Sequence, residues 1–430
     1  MASKWQEYRI GDIAKIEGGG TPSTADPSNF DGDIPWLTPK DLSHIHDRYV
    51  FRGERNLSRK GLENCSARLL PEGTVLLTSR APIGYLAIAG NPIATNQGFR
   101  NLILKPGFNP EFVYYWLKAN IDVLERHASG STFKELSGSA LAEIIISVPS
   151  LSEQRAIAHI LGTLDDKIEL NRKMNETLEQ MARAIFKSWF IDFEPVRAKM
   201  EGRWKKGQSL PGLPAHLYDL FPDRLVRTEF GEIPEGWHQK KLENIIDFKK
   251  GKKPSIVYQK PRAESLPVIL IESFDRDPNI YSDPEGMVLA DYDDVLMVMD
   301  GASSGRVETG QRGIVGSTIA KVILNDYNLS KQFIYYFLKF IEPISRKHLT
   351  GTSIPHSDKR WILSQILYLP DDKILLKEFE NIAITFRTKI NLNNKECWNL
   401  VLMRDSLLPK LINGQIRVKD AEIFLKEGGL

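Results

Sequence analysis

A chain of 430 residues, 42% hydrophobic and 26% charged, has the composition of a globular protein with room for roughly two to four domains. Its net charge of +2 excludes a chain that holds nucleic acid by overall charge, so any such site must be a local basic face. Two distant cysteines, Cys65 and Cys397, without CxxC or zinc spacing exclude a disulfide framework and point to a reducing compartment. The opening residues carry no apolar signal core, and no apolar run nears the ~20 residues of a membrane span. A cytoplasmic protein with no membrane contact is expected.

Residues 1–150 read as a first domain of short strands and turns. Val75-Leu76-Leu77 and Leu102-Ile103-Leu104 are strand-like, and a helix is predicted after Pro110 through Phe112, Tyr115 and Trp116. The texture then changes. Ser152 is the predicted N-cap of a helix running to about Phe190, with Leu161, Leu164, Ile168, Leu178, Ala182 and Ile185 at 3-4 spacing. About 38 residues at ~1.5 Å each make a rod of roughly 57 Å. With its closing turn this element is taken as 151–195. Residues 196–235, rich in Pro and Gly, are expected to be an extended linker with docking aromatics Trp204, Tyr218 and Phe221. A second domain over 236–370 is followed by a second long helix, 371–415, and a tail, 416–430.

The two halves are one sequence written twice. Trp5, Pro22 and Pro35 recur as Trp237, Pro254 and Pro267, displaced by 232, and Phe112–Lys118 recurs as Phe333–Lys339, displaced by 221. Along the helices the displacement is 222. Leu164, Ile168, Asn171 and Leu178 match Phe386, Ile390, Asn393 and Leu400. One duplication of this length predicts two similar domains. The expected fold is α+β: two repeated α/β recognition domains and two antiparallel coiled-coil helices in a pseudo-twofold dumbbell. Asn171 and Asn393 are polar seam residues expected to fix the register.

Catalytic motifs are missing: there is no GxxxxGK[ST], no GxGxxG after a strand and no HExxH. His44-x-His46 has no convergent partner for a metal. Gly301–Gly305 fits GxSxG, but no helix is predicted after it, and its repeat partner has Pro82 at the nucleophile position, so a shared tight turn is expected. What remains favours nucleic acid. Lys249, Lys250, Lys252 and Lys253 flank Gly251 on a predicted loop and suit phosphate contact. Arg48, Arg52, Arg55, Arg59 and Lys60, with Tyr49 and Phe51 interleaved, form a second basic stretch. Ser131, Thr132 and Lys134, and their twins Thr352 and Ser353, offer hydroxyls and charge to phosphates or base edges. Asn96 and Gln97 pair two amides capable of adenine contact. Arg80, Ser303, Ser304 and Arg306 complete the candidates. The aromatic repeat around Tyr114-Tyr115-Trp116 is expected to be core.

With these motifs in place, the chain resembles the specificity subunits of type I restriction-modification systems over essentially its whole length. The resemblance rests on the half-repeat and on stretches in order: Leu76-Leu77-x-x-Arg80-Ala81-Pro82-Ile83-Gly84, Asn96-Gln97-Gly98-Phe99, Pro149-Ser150-Leu151-x-Glu153-Gln154, Phe193-Glu194-Pro195, and Phe230-Gly231-Glu232-Ile233-Pro234 before Trp237. The second copy departs at Gly316-Ser317-Thr318, and again at Asp372–Leu376, where the Glu-Gln pair is missing. The resemblance implies a non-catalytic subunit whose two domains read a bipartite, asymmetric site on double-stranded DNA. It further implies partners: two modification subunits carrying S-adenosylmethionine and methylating adenine, and translocating restriction subunits using ATP and Mg. No cofactor is expected on this chain. A stand-alone DNA- or RNA-binding adaptor of the same fold is the competing reading.

Overall fold

A computed structural model describes residues 5–43, 45, 47–130, 134–229, 231–274, 279–326, 329–351 and 355–421. The chain divides into two compact units, residues 1–173 with 394–430, and residues 174–393. Each unit holds one copy of the repeat and a segment of each long helix.

In the first unit a five-stranded sheet runs in the order Ala14–Gly18, Phe99–Leu104, Val75–Ser79, Ile83–Ala89, Tyr49–Val50. A three-stranded sheet joins Arg55–Leu57, Phe30–Leu37 and Ala94–Thr95, the last pair parallel. Gln6–Arg9 pairs antiparallel with Ile145–Val148. The second unit repeats this scheme. Ile246–Lys250, Ile319–Leu324 and Leu296–Val298 are adjacent and antiparallel, Leu266–Ile269 runs parallel to Gly313–Val315, and Trp237–Lys241 pairs with Ile366–Pro370.

The repeated aromatic helix is Pro110–Ala119 in one unit and Lys331–Ser345 in the other. Asn109 caps the first through the Phe112 N–H, and Ser330 caps the second through the Phe333 N–H, so equivalent residues close equivalent ends. Tyr114, Tyr115 and Trp116 are buried, as expected, with Tyr335, Tyr336 and Phe337. In the first unit this helix packs on Leu161, Leu164 and Ile168 of the first long helix and on Leu400, Leu407 and Leu411 of the second. In the second unit Phe333 and Phe379 each meet Phe186 and Phe190 edge-on, with Phe190 and Phe333 centroids 5.0 Å apart. Each such pair adds about 0.5–1.5 kcal/mol beyond burial.

The long helices are Leu151–Phe190 and Lys373–Ile412, displaced by 222 at both ends. Within each unit they run antiparallel: Asp165 meets Arg404 and Asn171 meets Glu396 in the first, Asn175 meets Asn393 and Glu179 meets Arg387 in the second. The predicted cap needs correction. Ser150, not Ser152, precedes the first helix, its oxygens receiving the Glu153 and Gln154 N–H groups. Gln154 is buried and ties the helix start to the preceding loop, accepting from the Asn109 N–H and donating to the Pro149 carbonyl. The second copy has Leu376 there, and Asp372 caps the helix through the Ile374 N–H.

The segment 196–235, expected to be extended, is folded. Helix Glu194–Met200 leads to a 3-10 turn, Ala215–Leu220, and a hairpin of Leu225–Thr228 with Gly231–Pro234. The docking aromatics explain this. Trp204 and Phe221 are buried, and Phe221 lies edge-on to Trp189 at 5.6 Å. That apolar burial outweighs the turn-forming tendency of the Pro and Gly residues. No helix among the described residues is long and apolar enough to cross a membrane.

Candidate nucleic-acid interface

In each unit several loops converge on one corner of the main sheet. In the first unit the Gly20 N–H donates to the Thr95 carbonyl at 2.9 Å, which binds the turn after Ala14–Gly18 to the loop holding Asn96 and Gln97. Ser79 donates through both its N–H and its Oγ to the Gly98 carbonyl, and the Leu136 N–H donates back to Ser79. The second unit repeats these ties. The Lys252 N–H donates to Val315, Met299 to Thr318, and Ser357 back to Met299. Two glycines make the close approach possible. A Cβ on Gly19 would lie 2.0 Å from the Asn96 carbonyl oxygen, and one on Gly251 would lie 2.1 Å from that of Val315.

The side chains on these matched frames differ. In the first unit the Asn96 Oδ1 accepts from the Gly98 N–H, turning the loop back and leaving Gln97 exposed, where its Oε1 accepts from the Thr21 hydroxyl. Glu135 is clasped by Arg100 at 3.0 Å and Arg80 at 3.5 Å, and Lys134 beside it is exposed. In the second unit the clasped carboxylate is Asp300, held by Lys250 at 2.6 Å and His356 at 2.7 Å. Partial burial works against ionisation of Asp300, but those two hydrogen bonds outweigh it and hold its pKa below the usual carboxylate range.

The sequence-derived candidates thus fare unequally. Arg80, Asn96, Gln97 and Lys134 are brought together in the first unit. Lys249 and Lys250 end the strand Ile246–Lys250 and are not part of the loop as expected, whereas Lys252 and Lys253 lie beyond it; all four are exposed. Ser303 sits half-buried on the Gly301–Gly305 turn. Ser304 needs correction. Its side chain is fully buried and its Oγ lies within bonding distance of the Gly301 and Pro355 carbonyls, so it braces the turn and presents nothing to a ligand. Arg306 is engaged by Glu308 at 2.9 Å and lies over the Phe274 ring. Arg48 is likewise internal, bonded to Tyr115 and Asp166, which removes it from the predicted basic stretch. Ser131, Thr132, Thr352, Ser353, His44 and His46 lie outside the described residues. Asn171 and Asn393 are buried in the helix seams. Sequence reasoning missed Arg100, Glu135, Asp300 and His356. Their clasps join residues between 35 and 56 positions apart, a separation that no local motif spans. Among the described residues no group of three His, Cys, Asp or Glu is placed to hold a metal.

Three comparisons bear on this arrangement. Residues 2–180 match the family model described as the type I restriction modification DNA specificity domain. The chain is 35% identical to the type I restriction enzyme MjaIX specificity subunit of Methanocaldococcus jannaschii, covering 97% of this chain and 94% of that one. It is 25% identical to the type I restriction enzyme HindI specificity subunit of Haemophilus influenzae, covering 96% and 100%. Its fold matches the crystal structure of a type I restriction-modification S subunit from M. genitalium, with a TM-score of 0.58 at 18% identity over 95% and 96% of the two chains.

Proposed function

This chain belongs to the specificity subunits of type I restriction enzymes, and we propose on that basis that the loop corner of each unit reads one half of a bipartite DNA target. The family assigns it sequence-specific DNA recognition and assembly with the other subunits of a restriction-modification complex, without catalysis of its own. The observation that supports the finer reading is the matched corner. The same backbone ties and the same glycine approach, Gly19 and Gly251, carry unlike side chains. Exposed Gln97, with Arg80 and Lys134, offers hydrogen bonds to base edges and phosphates in the first unit, and Lys249, Lys252 and Lys253 offer phosphate contact in the second. Two matched frames with different readers specify an asymmetric target. Each unit recruits one modification subunit; S-adenosylmethionine, ATP and Mg are carried by the partners.

The test is methylome mapping of cells carrying the complete complex with Gln97→Ala or with Lys252→Ala/Lys253→Ala. The expected result is relaxed or lost recognition in one half of the motif for Gln97→Ala, and weaker methylation at an unchanged motif for the lysine pair. Loss of recognition in both halves together from Gln97→Ala would refute the division of labour. The isolated chain, given DNA and S-adenosylmethionine, transfers no methyl group above background.

A further inference from the structure

Of the ion pairs that join the long helices, the two shielded ones are not copies of each other; a third, Lys167 with Glu396 at 3.5 Å, is more exposed and runs in the opposite sense. In the first unit the Arg404 guanidinium of the second helix donates to Asp165 of the first at 2.7 Å, with side chains 16% and 13% exposed. In the second unit Arg387 of the second helix donates to Glu179 of the first at 3.0 Å, with side chains 12% and 19% exposed. Tyrosines of the repeated aromatic helix complete both sites. The Tyr115 hydroxyl donates to Asp165 at 2.8 Å, and the Tyr335 hydroxyl donates to Glu179 at 3.1 Å. The displacement of 222 carries Asp165 onto Arg387, so the repeat keeps the position and reverses the charge. In both shielded pairs the first helix therefore supplies the acid, and the second supplies the base.

This distribution has a consequence for pairing. The apolar frame does not distinguish the helices, because Ile168 and Ile390, Asn171 and Asn393, and Leu178 and Leu400 hold equivalent places. A first helix paired with the first helix of another molecule would put Asp165 where Arg387 sits, against Glu179. Lys118, 3.8 Å from Asp165, and Arg183, 2.9 Å from Glu179, remain beside them, but the two carboxylates lose Arg404 and Arg387 and meet each other. A second helix paired with its own copy would put Arg387 where Asp165 sits, against Arg404. Either self-pair turns a shielded ion pair into a shielded like-charge contact, which costs several-fold more than the same contact in water. We propose that the segregation of charge is a pairing code: it directs the first long helix to the second and rejects a second copy of the same helix. Covalent linkage then favours the partner in the same chain through its high effective concentration.

The test uses the full-length chain. Glu179→Arg/Arg387→Glu keeps both native ion pairs complementary but leaves one charge of each sign on each helix, so self-pairing brings opposite charges together. Asp165→Arg/Arg404→Asp does the same from the other unit. The fourfold variant carrying all four substitutions restores segregation with reversed sign. Each protein is unfolded and refolded at micromolar concentration as a mixture of ¹⁵N-labelled and unlabelled chains, then read by native mass spectrometry and lysine cross-linking. Lys167 faces Glu396, which falls on position 174 after the shift, so a self-paired first helix brings Lys167 beside Lys173 of the other copy. The expected result is a rise of at least about tenfold in labelled–unlabelled Lys167–Lys173 cross-links for either double variant, each 1.4 kcal/mol of relieved repulsion being tenfold. The wild-type and fourfold proteins stay at the same low level. Double variants as free of these cross-links as wild type overturn the proposal, as does a fourfold variant that dimerises like the doubles. The fourfold protein also reports whether the substituted side chains are tolerated, so a folding failure of one double leaves the other and the fourfold variant to decide.

Discussion

Gly162 sits inside the first long helix, where an isolated glycine costs about 1 kcal/mol against alanine. On helix propensity alone, Gly162→Ala should stabilise the protein. The structure reverses the sign. A Cβ at 162 would lie 2.5 Å from Nη1 of Arg48 and 3.2 Å from its Cζ. Arg48 is only 7% exposed and cannot swing into solvent without giving up the Tyr115 hydroxyl at 2.9 Å and Asp166 at 2.9 Å. Asp166 is largely exposed, so that ion pair is screened and worth less than about 1 kcal/mol. The bond to Tyr115 is shielded and charge-assisted, worth about 1.5–3 kcal/mol, and a displaced guanidinium leaves Tyr115 holding Asp165 alone. Setting about 1 kcal/mol of gained propensity against these losses, Gly162→Ala destabilises the first unit by about 1–3 kcal/mol. Urea unfolding followed by hydrogen exchange in residues 110–119 and 151–173 measures it within that unit. In an Arg48→Met background the obstruction is gone, and the same Gly→Ala change should be neutral or stabilising by up to about 1 kcal/mol. A Gly162→Ala protein more stable than wild type, or a double mutant showing no coupling, refutes the reasoning.

Replacing Lys249, Lys250, Lys252 and Lys253 by Ala should weaken DNA binding for all sequences and flatten the slope of log affinity against log salt by up to ~0.9 for each phosphate no longer neutralised; an unchanged slope in binding titrations across a range of salt concentrations assigns the lysines no phosphates. Burial raises the Asp165 pKa, but Lys118 and Arg404 outweigh it and hold it below its ordinary value. A carboxylate lowered in the folded state contributes stability that is present above its unfolded pKa of about 3.9 and lost as the pH falls through the folded value. Asp165→Asn should therefore be less stable than wild type at neutral pH, with a gap that narrows below about pH 4; urea midpoints showing a constant gap down through the carboxylate range would contradict this. Gly251→Ala meets backbone oxygens at 2.1 and 2.3 Å, which cannot rotate away, so the corner of the second unit must shift. Methylome mapping should show recognition weakened in one half of the target only.

The parts of the fold that repeat over long stretches were legible. The 222 displacement, the two helices and the aromatic repeat Tyr114-Tyr115-Trp116 rest on many residues each, and a misread residue changes little. Ser150 and Ser152 lie two residues apart before the same helix, their hydroxyls 3.0 Å from each other, and composition alone cannot say which one caps. The clasps at the corners were illegible for a different reason. Glu135 meets Arg100, and Arg48 meets Asp166 across 118 positions, only because sheet and helix bring them together. A Gly-Ala-Ser-Ser-Gly turn likewise does not reveal that Ser303 faces outward more than Ser304; that depends on Pro355, whose carbonyl lies 51 positions away.

The departure of the second copy from the Asn-Gln-Gly pattern has a steric cause. Asn96 and Gly316 make the same backbone bond, each N–H donating to the strand alongside, Leu37 in one unit and Ile269 in the other. In the second unit a Cβ at 316 would lie 2.7 Å from the Ile269 carbonyl oxygen, so asparagine does not fit there without moving the strand. Without that side chain the loop cannot be turned by an amide, as Asn96 turns it through the Gly98 N–H. It is closed by backbone instead, the Ile319 N–H donating to the Gly316 carbonyl at 3.1 Å. The loop keeps its path, and its tip changes from Gln97 to Ser317. The copies can thus hold one frame and differ in the groups they display, because the turn is closed by a side chain in one and by the main chain in the other.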